Sequence, residues 1–206
     1  RVHPFIITLG TMSIYRGIAF VTTKAQSVTD FPPGFGTGFK SALRDFTLVP
    51  MIIVAVVVLC GEVFLRHSVP GREVYAVGGN ELASRFSGLR VGRVKLLVFT
   101  LAGLTAGIAA TIALGLYGAA ASSDGLGYEL DVIAAAVVGG ASLSGGRGTA
   151  LGALLGALII QLIANGIVIL DIDQNYTRII QGTVIILAVL LDRFSTSLSE
   201  RRLVKG

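Results

Sequence analysis

Residues 51–59 read Met51-Ile52-Ile53-Val54-Ala55-Val56-Val57-Val58-Leu59, an apolar run without a break. Extended outward it becomes a stretch from Thr47 to Leu65, close to the roughly 20 helical residues that cross a hydrocarbon core about 30 Å thick. The run is not an isolated accident. Of 206 residues, 53% are apolar and 14% charged, and the mean hydropathy is +0.79, whereas soluble domains carry about 25% charge. The chain therefore belongs to the membrane class, and disordered, collagenous and disulfide-scaffold classes are excluded. Glycine occupies 27 positions and proline five, a balance that suits closely packed membrane helices. The one cysteine, Cys60, sits inside an apolar run and has no partner for an intrachain disulfide.

Read the same way, six stretches are long enough to span: Pro4 to Val21, Thr47 to Leu65, Val94 to Leu116, Tyr128 to Leu143, Thr149 to Leu170, and Asn175 to Phe194. With six crossings both termini share one side, and charge sets which side that is. The termini, the 66–95 loop and the Ser144 to Gly148 turn together carry twelve Lys/Arg; the opposite side carries only Lys24, Lys40, Arg44 and Arg178, with Arg16 inside a span. Seven acidic residues, Asp30, Asp45, Asp124, Glu129, Asp131, Asp171 and Asp173, lie on the cation-poor face. Both termini are thus expected in the cytoplasm. The net charge of +5 is divided among short loops between apolar spans, which marks topology and lipid contact. A nucleic-acid surface would need a continuous basic face with stacking aromatics, so nucleic acid is not expected as a partner. Arg1 to Pro4 leads straight into a span without a cleavable signal, and so abrupt a start reads as that of a fragment.

Glycine spacing points to packing. Gly148, Gly152 and Gly156 recur every four residues, as do Gly103 and Gly107, which places each set along one helix face where a neighbouring backbone can approach. Thr11, Ser13, Gln161 and Asn165 are polar groups within spans. Such groups must face protein or a wet cavity, so they are candidates for a substrate pathway or for interhelical bonds. Arg16 and Glu62 lie near span ends and are expected to snorkel toward water. Tyr117, Tyr128 and Tyr176 fall at span ends and read as interfacial anchors.

Several catalytic motifs fail on inspection. Leu143-Ser144-Gly145-Gly146-Arg147 approaches a transporter-ATPase signature, but a phosphate loop needs a lysine where Gly146 stands. Gly140-Ala141-Ser142 would need a histidine base oriented by an acid, and the only histidines are His3 and His67. No Cys/His/Asp/Glu cluster has metal-ligand spacing. No catalytic or metal site is expected.

The most informative segment is the loop from Arg66 to Lys95. Asn80 can cap a helix with Glu81 in its first turn, and Gly88 can close it. Within it Leu82, Phe86 and Leu89 form one apolar face, with Arg85 turned elsewhere. A short amphipathic helix between spans needs a surface on which to bury that face, either the lipid interface or a partner protein.

The run Gly71-Arg72-Glu73-Val74-Tyr75-Ala76-Val77-Gly78-Gly79-Asn80-Glu81-Leu82-Ala83-Ser84-Arg85-Phe86-Ser87-Gly88, followed by Val94-Lys95, resembles the cytoplasmic coupling region of ribose-type ABC importer permeases. The stretch Gly139 to Gly148 and the opening Pro4 to Ser13 are similar to other parts of the same family, and the likeness covers nearly all of the chain. It implies an all-α, polytopic transmembrane helical bundle: one permease domain over 1–206 of about six spans, with a 66–95 coupling loop and its short helix inside it. Family members usually have about ten spans, and this chain resembles the C-terminal six. The resemblance further implies a transport subunit of the bacterial inner membrane with no ATPase site of its own. ATP and Mg would be held by two cytoplasmic ATPase subunits. The other partners implied are a second permease subunit, in a homo- or heterodimer, and a periplasmic sugar-binding protein. Arg72, Tyr75, Gly78, Gly79, Asn80, Glu81, Ala83, Arg85, Phe86 and Gly88 are then the expected ATPase-coupling residues. A self-contained channel or secondary carrier, and a non-transporting scaffold, are the alternatives; flux without nucleotide would mark the first.

Overall fold

A computed structural model describes residues 4–29, 31, 48–171, 176, 179, 182, 183 and 186. Every regular element among them is a helix: α1 (Pro4–Thr23), α2 (Leu48–His67), α3 (Val69–Gly79), α4 (Glu81–Phe86), α5 (Val91–Tyr117), α6 (Tyr128–Val138) and α7 (Ala150–Ile169). Four of these, α1, α2, α5 and α7, are long and apolar enough to cross a membrane. Large apolar side chains such as Met51, Leu96, Leu104 and Leu162 stand exposed along them, and no large side chain is fully buried among the described residues. Helices that leave so much apolar surface uncovered need lipid or further helices as their surroundings.

The fourth expected span is shorter than the sequence suggested. Helix α6 has 11 residues and stops at Val138, about half the length a crossing helix needs, because Gly139 caps it and Gly140 turns left-handed at φ 90°. The sixth expected span lies outside the described residues, apart from isolated helical positions at Tyr176, Ile179, Gly182, Thr183 and Ile186. Helix α3 forms in the 66–95 segment ahead of the expected Asn80-capped helix.

The chain divides into two compact units, Arg1–Ile53 with Leu104–Leu126, and Val54–Gly103 with Gly127–Gly206. In the first, the hydroxyls of Thr11 and Ser13 bond back to carbonyls of their own helix, at 3.0–3.1 Å, which satisfies them without a second helix. Helix α1 ends where Lys24 and Ala25 adopt φ of 52° and 58°, and Ala25 N–H returns to Phe20 O at 3.0 Å. Beyond it Val28 and Ala120 exchange N–H···O bonds of 2.8 and 2.9 Å, an isolated antiparallel bridge.

The second unit is held by two small clusters. Val77 of α3 packs with Val91 and Val94 of α5, flanked by Val74 and Leu89. Ala134 and Ala135 of α6 pack with Ile160 of α7, flanked by Val138. The second contact is close because it is built from small residues: a Cβ on Gly156 would fall on the carbonyl oxygen of Ala135, and one on Gly152 would fall on that of Gly139.

Candidate functional site

The 66–95 segment folds into two short helices. Helix α2 ends at His67, and Ser68, extended at φ −91° and ψ 153°, caps α3 by accepting from Gly71 N–H at 2.9 Å. Pro70 in the first turn gives up an N–H that has no helical partner there. Gly71 then fits against the end of α2, where a Cβ would strike the Phe64 carbonyl oxygen and lie 2.8 Å from that of Leu65. These local features start a helix in a segment whose glycines and proline disfavour one.

Asn80 separates α3 from α4. Its extended backbone (φ −155°, ψ 100°) closes α3 through an N–H bond to Ala76 O, and its side chain accepts from Ala83 N–H at 2.9 Å to open α4. Helix α4 spans Glu81–Phe86, and Gly88 follows at φ 84°. The expected capping by Asn80 and closure at Gly88 are both present. Glu81 bonds Lys95 Nζ and Arg85 Nη2, each at 2.7 Å. The Lys95 hydrogen bond, and then that of Arg85, hold its carboxyl below the ordinary glutamate range. Ser84 is buried, but Leu82 is 68% and Phe86 88% exposed. The apolar pair thus stands outward on a helix whose charged side is tied down. Arg72, Ala83 and Arg85 are also exposed, and beside them Glu73, Gly88, Leu89, Arg90 and Arg93 line an open hollow of about 260 Å³.

The other side of α3 meets the turn before α7. That turn is made by three glycines with positive φ, Gly145 (91°), Gly146 (74°) and Gly148 (150°), closed by Ser142 N–H to Arg147 O at 3.1 Å. Gly78 and Gly79 lie directly on it: a Cβ on Gly78 would be 2.7 Å from Gly146 N, and one on Gly146 would be 2.8 Å from Gly79 Cα. Tyr75, half-buried, donates its hydroxyl to Gly148 O at 2.6 Å. Tyr75 and the exposed Gly78 and Gly79 thus also make contacts inside this chain.

Glu62 corrects an expectation. It does not snorkel; it is 8% exposed, and its Oε2 accepts from Ala150 N–H at 2.9 Å and Leu151 N–H at 3.2 Å, while Oε1 pairs with Arg66. Thr149 Oγ1 accepts from Gly152 N–H at 2.9 Å, and Thr149 O accepts from Ala153 N–H. The N–H groups of Ala150, Leu151 and Gly152, which have no partner within the helix, are therefore satisfied, with a carboxylate at the positive end of the helix. No sequence rule marks a partner 88 residues away.

Gln161 Nε2 donates to Asn165 Oδ1 at 3.3 Å on the exposed face of α7, and Thr11 and Ser13 belong to the other unit. Gly152 and Gly156 lie against the carbonyls of Gly139 and Ala135 and Gly148 belongs to the turn before α7, whereas a Cβ on Gly103 or Gly107 would meet nothing within 4 Å among the described residues.

Apolar crossing helices joined by a structured 66–95 segment define a polytopic, all-helical membrane protein. Residues 1–189 match the family described as "Branched-chain amino acid transport system / permease component", and the chain belongs to that family. It is 42% identical over 198 residues to the ribose import permease protein RbsC of Bacillus subtilis (strain 168), covering 94% of this chain and 60% of that protein. To RbsC of Escherichia coli (strain K12) it is 40% identical over 199 residues, covering 93% and 61%. To the D-allose transport system permease protein AlsC of Escherichia coli (strain K12) it is 39% identical over 191 residues, covering 93% and 58%. The chain thus spans about three fifths of the length of these relatives. No solved structure matches.

Proposed function

We propose that this chain is part of the transmembrane permease subunit of an ATP-binding-cassette importer for a monosaccharide, lying in the bacterial inner membrane with both termini cytoplasmic. The observation that carries the reading is the exposed Leu82 and Phe86 pair on α4, in a chain some 40% identical to ribose import permeases. An apolar pair at 68% and 88% exposure, mounted on a capped and ion-paired helix, suits a groove on a partner protein. The partner is a cytoplasmic ATPase, and ATP with Mg is bound there. A second permease subunit and a periplasmic sugar-binding protein complete the assembly.

Transport then needs no covalent chemistry by this chain. Closure of the ATPases on nucleotide displaces α4 by way of Leu82, Phe86 and the exposed Arg72 and Arg85, and the spans tilt about a central path in alternating access. Thr11, Ser13, Gln161 and Asn165 remain candidates for its lining. The test replaces Phe86 by alanine in the assembled transporter and measures ATP hydrolysis stimulated by the binding protein. Loss of stimulation with the assembly's membrane level unchanged supports the reading, and unchanged stimulation overturns it.

A further inference from the structure

We propose that the glycine turn at 144–149 is the receiving half of a clamp that carries displacement of α3 and α4 into α7, with Tyr75 and Glu62 as its positioning residues. The inference rests on the reading above, that α4 is where the ATPase pushes.

Three fastenings meet at the start of α7, and each is of a different physical kind. Gly78 and Gly79 rest on Gly145 and Gly146, backbone against backbone. Side chains can absorb a push by changing rotamer, but backbones in van der Waals contact cannot. Tyr75 reaches across to Gly148 O at 2.6 Å, so the last turns of α3 hold the turn from one side. Glu62, from α2, holds the helix itself through the N–H groups of Ala150 and Leu151. Helix α3 is in turn pinned at its other end, where Gly71 lies against the Phe64 and Leu65 carbonyls. It therefore cannot shift along its length without moving the turn.

What lies beyond the clamp gives it consequence. At 1.5 Å per residue, Gln161 sits roughly 16 Å along α7 from Ala150, about halfway across a hydrocarbon core of about 30 Å. A small tilt delivered at Ala150 moves the Gln161 and Asn165 pair, so contiguous contacts run from the exposed tip of α4 to polar groups at membrane depth. Neither Tyr75 nor Glu62 needs to touch the ATPase or the cargo.

The test is hydrogen exchange of the assembled transporter in lipid nanodiscs, with and without Mg-ATP trapped by vanadate. In the unaltered protein, segments 81–86 and 144–152 are expected to change protection together. In Tyr75→Phe, which removes only the hydroxyl, 81–86 keeps its response while that of 144–152 shrinks about two- to tenfold, the range one hydrogen bond supports. A general loosening of the fold would weaken both segments alike. Glu62→Gln, which keeps an acceptor but loses the charge, is expected to give the same split. An unaltered 144–152 response in both variants overturns the clamp. If 81–86 does not respond in the unaltered protein, the reading of α4 fails instead, and the clamp falls with it.

Discussion

Replacing Gly156 by alanine should force α6 away from α7. The added Cβ would coincide with the Ala135 carbonyl oxygen and lie 2.7 Å from Gly139 N and 2.9 Å from Ala135 C. Non-bonded atoms rest at about 3.5–4.0 Å, so relief takes a shift of roughly 1 Å or more. The obstacle is helix backbone, whose Ala135 oxygen already accepts from Gly139 N–H at 2.9 Å; no side chain can rotate out of the way. Overpacking of this kind costs about 1–3 kcal/mol. Against it stands the better helix propensity of alanine, about 1 kcal/mol, and Gly103→Ala measures that gain alone, because nothing lies within 4 Å of its Cβ position among the described residues. The difference between the two variants isolates the contact. Reversible unfolding in mixed micelles should find Gly156→Ala less stable than Gly103→Ala by about 1–3 kcal/mol. Equal stabilities, or a more stable Gly156→Ala, would refute the backbone contact between α6 and α7.

Other consequences concern the loop and its turn. Asn80→Ala removes the side-chain acceptor for Ala83 N–H and should destabilise α4 by about 1 kcal/mol, read as faster amide exchange at Ala83. Gly145→Ala combines a φ of 91° with a Cβ placed on the Gly78 carbonyl oxygen; it should lower the folded yield more than Gly92→Ala, whose Cβ would meet nothing within 4 Å among the described residues. Glu81 is held below 4.5 by Lys95 and Arg85, so its contribution is present at neutral pH and lost as pH falls below about 4.5 toward its folded value. Exchange protection of α4 should accordingly fall in acid, and Glu81→Gln should flatten that dependence.

The sequence exposes features that depend on runs and neighbours, and hides those that depend on distant partners. The expected limits of the fifth span, Thr149 to Leu170, frame α7 at its two caps, because a long apolar run and a threonine before it are local signals. Asn80 and Gly88 likewise bracket α4. Helix α3 is hidden in the sequence because Pro70, Gly71, Gly78 and Gly79 each speak against a helix; Gly71 and Gly78 are there because another backbone lies where their side chains would be, and the contact outweighs the propensity. The same holds for Glu62. Near a span end it reads as a snorkelling charge, and only the arrival of α7's N-terminus beside α2 makes burial the better solution. In Leu143 to Arg147 the glycine pair was visible as a turn, but not that Gly78 and Gly79 would be its counterpart.

The central claim is that α4 stands on the cytoplasmic side as the contact for an ATPase. It is tested most directly by labelling a single cysteine at Phe86→Cys, in a background with Cys60→Ser, with a maleimide that cannot cross the bilayer. In inverted inner-membrane vesicles stripped of peripheral proteins the site should react, and restoring the ATPase should protect it. Reaction only from the periplasmic face, or full reactivity with the ATPase bound, would contradict the account.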